Sequence, residues 1–139
     1  MASNRAGKKG EWVLETDGSS KGNPGRAGAA FILSRGDQVV AAGSKHLGVA
    51  TNNVAEYTAV LMGLEEALRL GAESLTLVTD SRLVANQLLG IFQVRKEHLR
   101  PLNRRCRSLI RRLSSFKVRV VPSGKNRAHR LAEQASRGD

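Results

Sequence analysis

The spacing of apolar side chains predicts a chain that begins with strands. Runs of β-branched and apolar residues predict strands at residues 12–16, 27–34 and 38–46. Arg35-Gly36-Asp37 is a tight-turn sequence, so the second and third strands are expected to form an antiparallel hairpin. Residues 17–25 are rich in glycine, serine and asparagine and predict a turn. The first third of the chain is therefore expected to be a three-stranded antiparallel meander.

A helical period replaces the strand pattern after residue 51. Apolar residues recur there in steps of three and four, at Val54, Tyr57, Leu61, Leu64 and Leu68. This stripe predicts an amphipathic helix, which the glycine at position 71 ends. A strand at residues 74–79 follows, and a helical crossover of this kind joins parallel strands.

The remaining pattern completes an α/β fold. Asp80 and Ser81 are expected to cap a second helix. Near the end of the chain, the pattern predicts a strand at residues 117–121, a loop at residues 122–125 and a closing helix at residues 127–136. An arginine-rich helix is predicted from the apolar stripe Leu99, Leu102, Cys106, Leu109, Leu113 and Phe116. An α/β domain with five strands and flanking helices is therefore expected. Residues 1–10 are expected to be a flexible basic tail and residues 11–139 one domain.

The composition indicates the expected location of the protein and the kinds of cross-link that its fold can use. No apolar run approaches the roughly 20 residues of a membrane helix, and the first ten residues lack the apolar stretch of a secretory signal. A cytoplasmic protein without membrane contact is therefore expected. Cys106 is the single cysteine and has no partner at zinc spacing, so neither a disulfide within the chain nor structural zinc is expected.

The positive charge is concentrated in the second part of the chain. Of the formal net charge of +11, none comes from residues 1–90, which carry 9 basic and 9 acidic side chains, whereas residues 91–139 carry 14 and 3. Such a basic surface favours a polyanion such as nucleic acid. The alternative is a solvated face that only aids solubility.

Three acidic residues are candidates for chemistry. Asp17 and Asp80 follow the first and fourth predicted strands, and Glu56 lies one turn into the first helix. If strands 1 and 4 are neighbours, all three carboxylates meet at one edge of the sheet, where α/β folds place ligands. Such a cluster of oxygen ligands favours Mg²⁺ or Mn²⁺. Alternatively, the two aspartates start turns or cap helices, and Asn53 with Glu56 forms a capping box.

In order and spacing, three sequence blocks resemble those of the type 1 ribonuclease H family, and the likeness covers about residues 12–136. They are Thr16-Asp17-Gly18-Ser19 with Gly22-Asn23-Pro24-Gly25, then Thr51-Asn52-Asn53-Val54-Ala55-Glu56-Tyr57, then Thr79-Asp80-Ser81. The resemblance implies the ribonuclease H-like fold for residues 11–139. Its sheet is five-stranded and mixed, with strands 1 to 3 antiparallel, strands 4 and 5 parallel to strand 1, and helices flanking it.

The resemblance also implies an endonuclease that cuts the RNA strand of RNA/DNA hybrids and leaves 5′-phosphate and 3′-hydroxyl ends. Two ions of Mg²⁺ or Mn²⁺ would be bound, with Asp17 bridging them and Glu56 and Asp80 as further ligands. A monomer without a small-molecule cofactor is expected. The expected substrate-binding residues, for which turn and cap roles are the alternative, are Gly18, Ser19, Asn23, Thr51, Asn52, Asn53 and Ser81.

The sequence departs from the family near its carboxyl end. Members usually carry a fourth acidic residue in a stretch of the form Asn-x-x-Ala-Asp-x-Leu-Ala, where this chain is one residue shorter and has His129. We hypothesise that His129 is a catalytic residue that binds or orients the second metal or its water, with Mn²⁺ supporting activity at least as well as Mg²⁺. The alternative is an exposed helix residue. Glu133 lies a helical turn further on and is not expected to replace the aspartate.

Two other functions remain open from the sequence. A catalytically weak or inactive nucleic-acid-binding module would keep the basic surface without the fourth ligand. A different nuclease or a junction resolvase could use the same fold. The three intact carboxylates favour an enzyme, and the Gly-Asn-Pro-Gly and Thr-Asn-Asn blocks favour ribose recognition. Some family members grip the hybrid with a separate basic insertion, for which residues 90–97 leave no room, so the arginine-rich helix is expected to take its place.

Overall fold

A five-stranded mixed sheet forms the centre of the fold. The computed structural model describes residues 10–138, so the predicted tail lies outside the described residues apart from Gly10. The strands lie in the order β3-β2-β1-β4-β5. Their bounds are β1 Trp12–Gly22, β2 Gly25–Arg35, β3 Gln38–Ala50, β4 Ser74–Thr79 and β5 Ser115–Val120. Strands β1 to β3 are antiparallel, β4 is parallel to β1 and β5 is parallel to β4, which confirms the predicted sheet.

The hairpin of β1 and β2 is longer than its sequence predicts. Residues 17–25 were expected to form a turn, but pairing continues to Gly22 opposite Gly25 and leaves only Asn23 and Pro24 between the strands. The turn prediction is wrong for most of this segment because backbone pairing with β2 outweighs the low strand propensity of glycine and serine. Asp17 therefore lies within β1, two residues past Glu15, where the parallel pairing with β4 ends.

Within residues 10–138, four α-helices and two short 3-10 helices complete the fold. The α-helices are α1 Asn52–Arg69, α2 Arg82–Leu88, α3 Arg100–Ile110 and α4 Ala128–Ser136, and the 3-10 helices are Glu97–Leu99 and Ser123–Lys125. Leu113 and Phe116 lie outside the predicted helix, since α3 ends at Ile110. Phe116 is in β5, because the Ser114 amide donates to the Glu73 carbonyl at 2.7 Å and starts β5 beside β4.

Helices cover both faces of the sheet. The main core lies on the side of α1, α2 and α3 and includes Leu14, Phe31, Tyr57, Leu64 and Cys106. On the other side, α4 packs its alanines against Ala30. Among the described residues, no helix is both long and apolar enough to cross a membrane. The two helical layers leave the carboxyl end of the β1 and β4 pair as the place where residues from several elements meet.

Candidate metal and nucleic-acid site

The three predicted acidic residues meet at one point. Asp17 is on β1, Glu56 is on α1 and Asp80 directly follows β4, and one carboxylate oxygen of each lies within 4.8 Å of the others. Asp17 is 2% exposed and Glu56 is 9% exposed, whereas Asp80 is half-buried. The structure thus brings together the side chains that the order of the strands predicts to converge.

A glycine lets α1 approach β1 closely enough for this convergence. A Cβ atom at Gly18 would lie 2.5 Å from the carbonyl carbon of Ala55 and 2.5 Å from the amide nitrogen of Glu56. Any side chain there would push the first turn of α1 away from β1. Gly18 therefore contributes to the site through its lack of a side chain.

Helix capping does not account for these carboxylates. The side chain of Thr51 caps α1 by accepting from the Val54 amide at 3.2 Å, and Ser81 caps α2 by accepting from the Val84 amide at 3.1 Å. The alternatives of an Asn53 and Glu56 capping box and of an Asp80 cap are therefore wrong. Glu56 and Asp80 are left to face Asp17.

Burial and mutual repulsion hold protons on this cluster. Burial first, and the Asp80 charge second, raise the pKa of Asp17 to about 6, although its hydrogen bond with His129 opposes the shift. Burial first, and then the charges of Asp17 and Asp80, raise the pKa of Glu56 to about 9. The cluster is therefore unfavourable as three free carboxylates, and a bound cation would relieve the repulsion.

The ligand set fits a hard divalent cation. Oε1 of Glu56 is buried and has no hydrogen-bond partner among the described residues, so it is an acceptor in need of a donor or a cation. Carboxylate oxygens are the ligands that Mg²⁺ and Mn²⁺ prefer. Metal binding by these three residues stays a prediction, and the orphaned oxygen supports it.

His129 contacts the cluster directly. Its Nδ1 atom lies 2.7 Å from Oδ2 of Asp17, and its Nε2 atom lies 3.6 Å from Oε2 of Glu133. The hydrogen bond to Asp17 is the main cause that raises the pKa of His129. The side chain is 44% exposed, and its role at the site stays a prediction that this contact supports. Glu133 therefore adjoins the far side of the imidazole rather than the other carboxylates.

Two residues that the sequence analysis did not single out place His129 there. Asn126 donates from Nδ2 to the Thr16 carbonyl at 2.6 Å and accepts from the Ala128 amide at 3.0 Å. Arg127 donates from its amide and from Nε to the buried carboxylate of Glu15, at 3.1 and 2.6 Å. These contacts fix the beginning of α4 to β1 directly beside Asp17.

A cleft of about 360 Å³ surrounds the carboxylates. Four of the predicted substrate-binding residues line it, namely Gly18, Asn52, Asn53 and Ser81. Ser19, Asn23 and Thr51 lie outside this lining: Asn23 accepts from the Asn52 amide at 3.1 Å, and Thr51 caps α1. Ser123 lines the cleft and was missed, although its place just after a parallel strand was a usable signal.

A family model and several solved structures indicate the same family for this chain. The family model described as reverse transcriptase-like matches residues 15–135. The N-terminal RNase H domain of Rv2228c from Mycobacterium tuberculosis is 35% identical with a TM-score of 0.89, covering 92% of this chain and 94% of that one. The RNase H1 of Halobacterium salinarum is 37% identical with a TM-score of 0.87, covering 94% of this chain and 100% of that one.

A third similar structure is LC11-RNase H1 in complex with an RNA/DNA hybrid. It is 27% identical with a TM-score of 0.85, and the match covers 92% of this chain and 98% of that one. The chain spans only 35% of the length of the full mycobacterial protein, to which it is 37% identical over 126 residues. Because the family model covers nearly the whole fold and the Halobacterium enzyme matches over its full solved length, the chain belongs to the type 1 ribonuclease H family.

Proposed function

We propose that this protein is a metal-dependent endonuclease that hydrolyses the RNA strand of RNA/DNA hybrids. The observation that carries the proposal is the convergence of the Asp17, Glu56 and Asp80 carboxylates within 4.8 Å at the carboxyl end of the parallel strands. A protein that only bound nucleic acid would gain nothing from this repulsion, since a cluster of carboxylates also disfavours phosphates nearby. The solved complex of LC11-RNase H1 with an RNA/DNA hybrid supports the substrate class.

The carboxylates would hold the metal ions. Two ions of Mg²⁺ or Mn²⁺ are expected, and the residues that would hold them are Asp17, Glu56 and Asp80. Bound ions would supply a nucleophilic water and stabilise the leaving 3′-oxygen, which gives 5′-phosphate and 3′-hydroxyl ends. His129 orients Asp17 through its hydrogen bond at 2.7 Å, and Glu133 limits the rotation of the imidazole from the other side.

The cleft has the polar groups that recognition of ribose needs. A 2′-hydroxyl both donates and accepts hydrogen bonds, and the Asn52 and Asn53 amides with the Ser81 and Ser123 hydroxyls can do either. Because Asn23 bonds the Asn52 backbone, the turn between β1 and β2 keeps Asn52 in place. We propose that the nucleic-acid strands contact Ser19, Asn23 and Thr51 where they leave the cleft.

The second candidate function is a binding module with weak or no catalysis. It is favoured by His129 in the place where the family usually has a fourth carboxylate, since a neutral imidazole adds no negative charge for Mg²⁺. The cytoplasmic location and the monomeric state stay predictions.

One substrate panel separates the candidates. End-labelled RNA/DNA hybrid, duplex DNA and duplex RNA would each be incubated with Mg²⁺, with Mn²⁺ and with a chelator. We expect cleavage of the hybrid alone, only with a metal, and a 3′-hydroxyl that a polymerase can extend. Binding of the hybrid without cleavage would select the module, and cleavage of duplex DNA would select another nuclease.

His129 is expected to set the metal preference. Restoring aspartate (His129→Asp) should raise Mg²⁺-dependent cleavage relative to Mn²⁺-dependent cleavage by roughly tenfold, because groups beside a metal ligand change metal affinity by about 10- to 100-fold. His129→Asn removes the imidazole without adding charge and is the matched control. If neither substitution alters the ratio of the two metal-dependent rates, the proposed role of His129 is wrong.

A further inference from the structure

His129 and Glu133 form a second pair of potential metal ligands beside the carboxylate cluster. They lie four residues apart on α4, so their side chains share one face of the helix. Nε2 of His129 is 3.6 Å from Oε2 of Glu133. Two ligand atoms of one tetrahedral zinc ion lie about 3.4 Å apart, because Zn–N and Zn–O bonds are roughly 2.0 to 2.2 Å long. The two atoms are therefore spaced as neighbouring ligands of a single ion.

The hydrogen bond to Asp17 decides which nitrogen of the imidazole is free. Nδ1 of His129 lies 2.7 Å from Oδ2 of Asp17. An ionised carboxylate only accepts hydrogen bonds, so Nδ1 carries a proton and donates it, and Nε2 is the nitrogen left to bind a metal. A histidine that binds a metal through one nitrogen usually donates from the other to a carboxylate. Asp17, which is 2% exposed, already holds His129 in that arrangement.

Contacts with the sheet fix the helix that carries both ligands. A Cβ atom at Gly28 of β2 would lie 2.6 Å from the carbonyl oxygen of Ala132, so α4 packs directly on the backbone of that strand. Nδ1 of His46 on β3 lies 2.8 Å from the Ala135 carbonyl oxygen. The beginning of α4 is bound to β1, as described above. Because the helix is held at both ends, a metal would find its two ligands already in place.

This pair differs in chemistry from the carboxylate cluster. One imidazole nitrogen with one carboxylate oxygen suits Zn²⁺ and related transition metals, whereas Mg²⁺ prefers oxygen ligands alone. The side chains of His129 and Glu133 are 44% and 41% exposed, so water can complete the coordination of a bound ion. Lys21 opposes binding, because its Nζ atom lies 4.0 Å from the same Oε2 of Glu133. Its side chain is 49% exposed and is free to turn into solvent.

We propose that His129 and Glu133 bind a transition-metal ion such as Zn²⁺, at a site separate from the one for Mg²⁺ or Mn²⁺, and that this ion inhibits the enzyme. A metal on Nε2 keeps the proton on Nδ1 and holds Oδ2 of Asp17 in its hydrogen bond, so that oxygen is withdrawn from the carboxylate cluster. The positive charge of the ion also disfavours a further cation nearby. The effect on cleavage rests on the proposed function, whereas the binding of zinc does not.

Calorimetric titration with Zn²⁺ in excess Mg²⁺ tests the binding itself. His129→Asn and Glu133→Gln are each expected to weaken zinc binding by about tenfold or more, because even a group that only supports a metal ligand has an effect of that size. Lys21→Gln should strengthen zinc binding severalfold, since it removes the competing ammonium group. Glu65→Gln is the matched control, because it removes the same charge from an exposed glutamate on α1 that pairs with Arg105. It should bind zinc as the wild type does.

Nitrogen-15 NMR of the histidine rings identifies the atom that binds the metal. Zinc is expected to shift the Nε2 resonance of His129 and to leave Nδ1 protonated. A zinc-induced shift that shows the metal on Nδ1 would place the ion among the three carboxylates and would overturn the proposal. Zinc binding that Glu56→Gln abolishes, or that Glu133→Gln leaves unchanged, would overturn it as well.

Cleavage of labelled hybrid then tests the inhibition. Saturating zinc should lower Mg²⁺-dependent cleavage by the wild type and by Glu65→Gln by about tenfold, because a group beside a metal ligand alters metal affinity by at least that factor. Glu133→Gln should lose most of this inhibition, relative to its own rate without zinc. Equal inhibition of the wild type and Glu133→Gln would overturn the inhibitory role. A wild-type protein that binds zinc through Nε2 and does not cleave the hybrid in the absence of zinc would refute the proposed function alone.

Discussion

Replacing Glu56 by glutamine is expected to lower the rate of hybrid cleavage by about a thousandfold or more, because a metal centre contributes several kcal/mol of transition-state stabilisation and each 1.36 kcal/mol is a factor of ten. An amide cannot supply the anionic oxygen that the proposed metal site needs. The fold should survive, since burial raises the pKa of Glu56 to about 9 and glutamine resembles the protonated acid. Single-turnover cleavage of labelled hybrid measures the rate, and circular dichroism of the same samples measures whether the variant is folded.

Glu73→Gln is the matched control for this variant. Glu73 is exposed and lies just before β4, outside the cleft lining. It should retain wild-type cleavage with either metal. A Glu56→Gln protein that cleaves the hybrid at more than a tenth of the wild-type rate would contradict the proposal that Glu56 is a metal ligand.

The convergence of the carboxylates could be predicted from sequence because it depends on rules of topology. A helix between two strands makes them parallel, and the ends of neighbouring parallel strands share one edge of the sheet. Asp17 and Asp80 needed only to lie near those ends, so the error in the length of β1 did not affect the prediction.

The contact between His129 and Asp17 could not be predicted in the same way. It depends on Asn126 and Arg127 binding to β1, and each pairing joins residues at least 110 positions apart. Sequence spacing within a helix carries no information on such distant partners. The resemblance to the family predicts that His129 lies near the proposed metal site, but its bond to Asp17 through Nδ1 is visible only in the structure.

The role of the residues behind the site was missed for a related reason. Tyr57 was predicted as one member of an apolar stripe, and it is indeed buried. Its hydroxyl also joins α1 to Gln87 and Asn103, which periodicity cannot show because a buried tyrosine and a buried phenylalanine give the same stripe. Through Gln87, which donates from Nε2 to the Gln93 carbonyl at 3.3 Å, this network also reaches the segment that follows α2.

The metal-free protein is expected to lose stability as the pH rises from about 6 to 8, by about 3 kcal/mol or roughly 10 °C in Tm. The pKa values of Asp17 and Glu56 are raised in the folded state, to about 6 and about 9, so the folded protein holds protons that the unfolded chain has released. The stabilisation that these protons give is therefore full at pH values below the pKa of an ordinary carboxyl group. It is lost as the pH rises from there to the raised pKa values of the folded protein. The raised pKa of His129 acts in the same direction, because its stabilising proton is also lost on going to higher pH.

Mg²⁺ or Mn²⁺ is expected to reverse this loss. A cation binds the deprotonated carboxylates, so the gain in Tm on adding metal should increase from pH 6 to pH 8 and metal binding should release protons. Thermal unfolding at several pH values, with and without metal, measures the effect for the wild type, for Glu56→Gln and for Glu73→Gln. Glu56→Gln should flatten the pH dependence and remove most of the gain from metal, because it takes away the group with the most raised pKa in the cluster. Equal gains from metal at both pH values in the wild type would mean that the cation binds elsewhere than at these buried carboxylates.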